Sequence, residues 1–175
     1  VGVLATVGTV QSGGYESALH RIWEASGRSG KLMVFSQGGH GMAEAIDGEP
    51  EFIDRKAQQP RPAYRGPSMG LGPGSENPLG YQISPDLLDA YNFNLNENNL
   101  LTASSDAGPL MQLNHPENYM RYHLVSLLEQ MRQNPGALPM KALILGCTHY
   151  PYLDAEIRTI LDELYNFTRN GQYVY

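Results

Sequence analysis

The chain has 175 residues, 41% of them hydrophobic, a formal net charge of −6 and one cysteine. This length is sufficient for one domain with a buried core, while the acidic charge and the lack of a lysine or arginine cluster argue against a nucleic-acid partner. One cysteine cannot form an internal disulfide, which predicts a reducing, cytoplasmic location, and no run of about 18 apolar residues is present to cross a membrane.

The first predicted elements are a strand, a polar loop and a helix. The apolar run at residues 1–5 indicates a buried strand, and residues 14–25 have the apolar spacing of a helix. Between them, the hydroxyl residues Thr6, Thr9 and Ser12 alternate with glycines. Loops of this composition often present backbone N–H groups that bind an anion. No phosphate-loop signature occurs, however, and Ser12 is equally suited to capping the helix.

Residues 31–36 predict the next strand, so the chain begins with a β-α-β unit in which the strands run parallel. His40 follows in a glycine-rich loop that we expect at the carboxyl edge of the sheet. It is a second candidate for a site, and the alternative is a solvated loop histidine. A short helix is expected over residues 42–46.

The character of the chain changes over residues 48–114, where prolines, glycines and asparagines interrupt every long periodic pattern. Only the stretch after Ser84 predicts one or two helical turns. We interpret residues 48–114 as an inserted subdomain or lid, and the alternative is a surface excursion without function. The residues expected to order it are Tyr64, Tyr81, Tyr91 and Phe93.

Periodic structure returns with a helix over residues 116–131 and a strand over residues 142–145, which we expect to be buried on both faces. Cys147 and His149 follow directly, ahead of a helix predicted to run from Pro151 to about residue 166. They therefore lie where ligands bind in open α/β sheets. The helix end and His149 would stabilise a thiolate, whereas the alternative is a cysteine that only packs. Residues 168–175 can form one more strand.

Several chemistries use a cysteine and a histidine. A hydrolase would take Cys147 as its nucleophile and His149 or His40 as the base. A phosphatase loop is excluded because Leu153 stands where a C-x₅-R motif requires arginine. A zinc site lacks a second pair of ligands at suitable spacing. A non-catalytic binding domain remains a further alternative.

Two segments resemble a known family. LILGCTHYPYL is similar to the second-cysteine motif of the glutamate racemases, in the aspartate/glutamate racemase superfamily, and VGVLATVGTVQSGGY resembles the strand, turn and helix start of the second half of those enzymes. The resemblance covers roughly residues 1–46 and 119–164. It implies one racemase-type α/β domain over residues 1–175 that carries the insertion 48–114. Its fold would be a three-layer α/β/α arrangement with a mostly parallel, flavodoxin-like sheet.

The resemblance also implies an activity, the conversion of L-glutamate to D-glutamate for peptidoglycan without a cofactor or a metal. In that family each of two domains supplies one cysteine, and the two cysteines act as acid and base on opposite faces of the substrate. By this resemblance Cys147 is one acid/base and His149 tunes or shuttles its proton. The residues implied in substrate binding are Thr148, with Thr6, Thr9 and Ser12 in support.

Some elements of the family have no counterpart here. The first cysteine, the Cys-Pro pair after Ser36 and the return strand after the last helix are all missing from the sequence. We therefore expect a second-domain fragment of a longer enzyme, inactive alone, whose main partner is the preceding domain. A second copy of the chain is a further candidate partner. The residues do not distinguish glutamate from aspartate or another acidic amino acid as the substrate.

Overall fold

The computed structural model describes residues 1–70, 80–106 and 108–175 of the chain. It shows a mixed α/β protein whose residues form two compact units. Unit one comprises Val1–Gly39 and His123–Tyr175, and unit two comprises His40–Tyr122. None of the helices in the described ranges is long and apolar enough to cross a membrane.

Helices and strands are numbered in chain order. The strands are β1 (Gly2–Ala5), β2 (Phe35–Gly38), β3 (Ser68–Met69), β4 (Leu100–Ser105), β5 (Gly108–Leu113), β6 (Leu143–Gly146), β7 (Thr168–Arg169) and β8 (Gln172–Tyr173). The α-helices are α1 (Val7–Gln11), α2 (Gly14–Ala25), α3 (Met42–Asp47), α4 (Leu88–Tyr91), α5 (Pro116–Arg132) and α6 (Asp154–Tyr165). Single 3₁₀ turns at Pro85–Leu87 and Tyr150–Leu153 precede α4 and α6.

Unit one is built on a parallel sheet of three strands in the order β2-β1-β6. The central strand β1 pairs with both neighbours, and its last residue, Ala5, lies opposite Gly38 and Gly146. All four residues of β1 are buried because helices and strands cover it, as expected for an apolar strand in a parallel sheet. The predicted β-α-β unit is confirmed, although its second strand begins at Phe35 rather than at residue 31.

The strand before Cys147 differs from its prediction. Among the described residues, β6 pairs on one side only, with β1, and its residues are half-buried rather than buried on both faces. The amphipathic helix α2 has the predicted bounds but buries none of its residues, and Ile22 is 62% exposed. An apolar run predicts a strand, whereas its place in the sheet depends on which strands lie beside it.

The core of unit one is formed by β1 and by two of the helices. Helices α5 and α6 have the predicted amphipathic pattern and turn their apolar faces inward. The buried side chains are Val3, Leu4, Ala5, Leu124, Val125, Leu127, Leu128, Met131, Ile157, Ile160 and Leu164. After α6 the chain forms the small antiparallel hairpin β7–β8, where a further strand is predicted.

Unit two contains an antiparallel hairpin that the sequence does not predict. Strands β4 and β5 pair over six residues each, and the short strand β3 pairs with β5 to complete a three-stranded sheet. The hairpin lies inside residues 48–114, so this stretch is more regular than its prolines and glycines suggest. The two predicted helical turns after Ser84 are present.

Three buried side-chain amides hold the long loops of unit two against its regular elements. Gln112 accepts a hydrogen bond from the backbone N–H of Arg61 (2.7 Å) and donates one to the carbonyl oxygen of the same residue (2.9 Å). Asn114 pairs in the same way with Asp54, at 2.8 and 2.9 Å. Each amide pairs with both the N–H and the carbonyl group of one loop residue. It therefore makes the two hydrogen bonds that a neighbouring strand would otherwise make.

Asn118, on α5, is the third such amide and is fully buried. Its oxygen accepts from the N–H of Asn94 (2.7 Å), and its nitrogen donates to the carbonyl oxygens of Asn94 and Asn99 (both 2.9 Å). These bonds fix the segment between α4 and β4 on the first turn of α5. The segment forms no ladder of backbone hydrogen bonds of its own, so the hydrogen bonds of the Asn118 amide hold it in place.

Aromatic side chains complete the interior of unit two. Tyr64, Tyr91 and Phe93 are buried, and the rings of Tyr91 and Phe93 stack with their centroids 4.9 Å apart. The hydroxyls of Tyr64 and Tyr119 lie 3.0 Å apart, and Tyr119 also donates to the carbonyl oxygen of Phe52. Burial raises the pKa of both hydroxyls, so they stay protonated and act as hydrogen-bond donors.

Replacing Asn118 with leucine tests the role of the amides. Asn118→Leu keeps the branched shape of the side chain but removes three hydrogen bonds to the backbone, so we expect the free energy of unfolding to fall by about 3 kcal/mol. Asn96→Leu is the matched control, because Asn96 is exposed in the same unit, and its expected change is within about 0.5 kcal/mol. Urea denaturation measures both, and equal effects would contradict the role given to the amides.

Tyr175 and Glu129 form a pH-dependent contact in unit one. Burial raises the pKa of Glu129, but hydrogen bonds from Arg132 and from the hydroxyl of Tyr175 (2.8 Å) outweigh burial and bring the pKa below its usual value. The pKa is lower in the folded state, so the stabilisation is present above the unfolded value of 4.5 and is lost as the pH falls through the folded one. We expect Glu129→Gln to lower the urea midpoint at pH ~7 and to have a progressively smaller effect as the pH falls below 4.5. Glu24→Gln, on exposed α2, should change neither midpoint.

Candidate active site

The candidate site residues of unit one lie at the carboxyl edge of the parallel sheet. Ala5 and Gly146 are register partners at the ends of β1 and β6, so Thr6 and Cys147 both leave the sheet at the same edge and from neighbouring strands. Parallel strands are the reason, because they bring their carboxyl ends together. The loop with the hydroxyl residues therefore emerges beside the turn that contains the cysteine.

Cys147 and His149 are in contact. The Sγ atom of Cys147 lies 3.5 Å from Nδ1 of His149, within hydrogen-bonding distance for sulfur, and both side chains are half-buried. Thr148, between them, is exposed. The turn is closed by the backbone N–H of Tyr150, which donates to the carbonyl oxygen of Cys147 at 3.3 Å. A thiol and an imidazole at this distance can exchange a proton.

The helix behind the cysteine begins later than predicted. His149 precedes a single 3₁₀ turn over Tyr150–Leu153, with Pro151 in its first positions, and α6 starts only at Asp154. The effect of a helix dipole falls off within the first turn, so α6 begins too late to act on the thiol, which contacts the imidazole of His149 instead. The imidazole therefore replaces the helix end as the main partner of the thiol.

The hydroxyl residues form a connected set around the short helix α1, which occupies the predicted loop. The Oγ1 atoms of Thr6 and Thr9 lie 2.8 Å apart, and Ser12 donates to the carbonyl oxygen of Thr9 at 2.7 Å. Ser12 also accepts from the N–H of Gly14 at 3.3 Å, at the start of α2. These bonds orient the segment, but the exposed Ser12 is not the cap of α2 that the sequence allows: Gly13 holds that position, and Ser12 ends α1.

His40 belongs to unit two and has packing contacts there. Its Nε2 atom lies 2.8 Å from the carbonyl oxygen of Arg65. Its ring stacks on Tyr81, with centroids 4.7 Å apart, and meets the edge of Phe52. The histidine therefore joins three segments of unit two, which gives it a packing role there.

Tyr15, near the start of α2, is a neighbour of the cysteine turn and is not among the predicted site residues. A Cβ atom placed on Gly146 would lie 2.8 Å from Cε2 and 3.0 Å from Cζ of Tyr15, so the ring covers the backbone next to Cys147. The glycine before the cysteine is the sequence signal for such a close approach. What approaches it is decided by the packing of α2.

Cys147 and His149 are two potential ligands for a metal ion, and a site needs more. Within residues 1–70, 80–106 and 108–175, no three His, Cys, Asp or Glu side chains come together to hold an ion. The arrangement supplies a thiol, an imidazole and neighbouring hydroxyls. These groups can transfer protons or attack a carbonyl carbon.

Comparisons with other proteins give no family for this chain. No family model, no curated protein and no solved structure matches it. The similarity to the glutamate racemases therefore rests on the two sequence segments alone.

The reactivity of the thiol tests the contact between Cys147 and His149. Iodoacetamide modifies thiolates, and Cys147 is the only cysteine, so alkylation reports this residue alone. We expect His149→Phe to slow alkylation at pH ~7 about tenfold, because an apolar ring cannot stabilise the thiolate. His20→Phe, on α2, is the control and should leave the rate unchanged. Equal rates for His149→Phe and the unaltered chain would show that the imidazole does not act on the thiol.

Proposed function

We propose that this chain is one of the two halves of an amino-acid racemase of the glutamate racemase type and supplies one of its two acid/base residues. The observation that supports the proposal most directly is the contact of 3.5 Å between Cys147 and His149, at the carboxyl edge of a parallel sheet and within the LILGCTHYPYL segment. The substrate is an acidic amino acid, with glutamate first. The product, D-glutamate, would serve peptidoglycan synthesis in the cytoplasm.

The proposed chemistry is a proton exchange at the substrate Cα. The thiolate of Cys147 removes the proton from one face, and the imidazole of His149 accepts or returns a proton at the thiol. Thr148, exposed beside the cysteine, binds the substrate carboxylate, and the segment of Thr6, Thr9 and Ser12 holds the neighbouring edge of the site. The chemistry uses neither a cofactor nor a metal.

A second acid/base must stand on the other face of the substrate. The chain has one cysteine, and a stereochemical inversion needs a proton delivered opposite to the one removed. We propose that a preceding racemase domain of a longer chain supplies it. In this proposal the present chain is one domain with an insertion at residues 48–114, and its sheet belongs to a three-layer, flavodoxin-like arrangement.

A cysteine hydrolase is the second candidate function. The contact between Cys147 and His149 also favours it, because a nucleophilic thiol needs a base within hydrogen-bonding reach. The hydrolase needs no second cysteine. It does need donors for the oxyanion of an acyl intermediate, and the 3₁₀ turn after His149 is the nearest source.

Exchange of the substrate Cα proton tests the proposed reaction. We expect the longer protein to incorporate solvent deuterium at Cα of glutamate and to interconvert the enantiomers. Cys147→Ser should lower the turnover of at least one enantiomer by a factor of about 10³ or more, because a hydroxyl is a far weaker acid than a thiol. Proton NMR in D₂O and chiral chromatography measure the two processes. Ser17→Ala, on exposed α2, is the control.

Two results would contradict the racemase. Undiminished turnover by the Cys147→Ser variant would remove the role of the thiol. Racemisation by the 175-residue chain alone would show that no second domain is needed. A burst of p-nitrophenol from p-nitrophenyl acetate, followed by steady release that depends on Cys147, would favour the hydrolase instead.

A further inference from the structure

Tyr15 lies between the two segments of the candidate site. It is the second residue of α2, directly after Gly14, whose N–H donates to Ser12. Gly13, the residue before helix α2, has a positive φ of 65°, a backbone conformation that favours glycine. The position of the Tyr15 ring is therefore tied, through the start of α2, to the segment with Thr6, Thr9 and Ser12.

The ring of Tyr15 packs on the backbone of Gly146. Its Cε2 and Cζ atoms are 2.8 and 3.0 Å from the point where a Cβ atom would stand, and Ala5 borders the same space at 2.8 Å. The lack of a side chain at position 146 is what admits the ring. Gly146 is the last residue of β6, and Cys147 is the next one, so the ring contacts the backbone at the base of the cysteine turn.

The cysteine turn is held from both sides. Strand β6 is paired on one side only among the described residues, and its residues are half-buried. Beyond Gly146, the backbone N–H of Tyr150 bonds to Cys147 at 3.3 Å, and the hydroxyl of Tyr150 meets the carbonyl oxygen of Gly39 at 3.5 Å. Both contacts are at the long end of hydrogen-bond distances. The ring of Tyr15 adds a rigid contact on the strand side of the turn.

We propose that Tyr15 is a positioning residue for the thiol. Its ring clamps Gly146 and so keeps Cys147 at the contact distance from His149, while α2 links the turn to the hydroxyl segment. The inference rests on the proposed function of Cys147 as an acid/base. The ring carbons that contact Gly146 position the thiol, so the hydroxyl of Tyr15 is dispensable.

The rate of alkylation at Cys147 tests the proposal, since iodoacetamide requires neither glutamate nor a second domain. We expect Tyr15→Ala to slow alkylation at pH ~7 about threefold or more, because the thiol loses its contact with the imidazole. Tyr15→Phe keeps the ring and should react within about twofold of the unaltered chain. Leu19→Ala, one turn later on the same face of α2, is the matched control and should behave like the unaltered chain.

Circular dichroism checks that each variant is folded, and Tyr15→Leu replaces Tyr15→Ala if the alanine variant is not. An unchanged alkylation rate in Tyr15→Ala, or an equally slow rate in Tyr15→Phe, would overturn the proposal. A loss of the same size in Leu19→Ala would also overturn it, because the effect would then come from a general loosening of α2. A loss confined to Tyr15→Ala in a protein that does not exchange the glutamate Cα proton would support the positioning role and refute the racemase.

Discussion

The parallel pairing of β1 with both β2 and β6 is the constraint on which the candidate site depends. Because β1 is buried and bonded on both edges, its last residue fixes where the neighbouring strands end, with Ala5 opposite Gly38 and Gly146. The residues that follow β1 and β6 then leave the sheet side by side. A slip in this register would separate Thr6 from Cys147, so the backbone ladder of a four-residue strand determines the geometry of the chemistry.

The two units obtain their order by different means. In unit one, helices α5 and α6 bury apolar faces against a parallel sheet, which is the usual arrangement of an α/β core. In unit two, long segments without regular structure are held by side-chain amides that pair with a loop backbone, as Asn118 does with Asn94. Apolar burial tolerates small shifts in position, whereas an amide bonded to both polar groups of one residue fixes its place within tenths of an ångström.

At the site, local packing decides what the thiol can do. The sequence suggests that a helix end stabilises a thiolate, but α6 begins at Asp154, and His149 is the side chain in contact with Sγ. Gly146, the residue before the cysteine, also has a role in packing, because the lack of a side chain there leaves room for the ring of Tyr15. Reactivity in this arrangement depends on a few contacts around one turn.

The sequence by itself determined the parallel β-α-β start, the bounds of α2, the helices α5 and α6, and the order of glycine, cysteine and histidine after a strand. These follow from periodicity and from the conformational limits of glycine and proline, which are local properties. Only the tertiary structure decided that β6 stands at an edge, that residues 48–114 contain the β4–β5 hairpin, and that Tyr15 meets Gly146. The edge position of β6 and the contact of Tyr15 with Gly146 join residues distant in sequence, about which neighbouring residues carry no information. The β4–β5 hairpin is local, but Pro109 inside β5 conceals it in the sequence pattern.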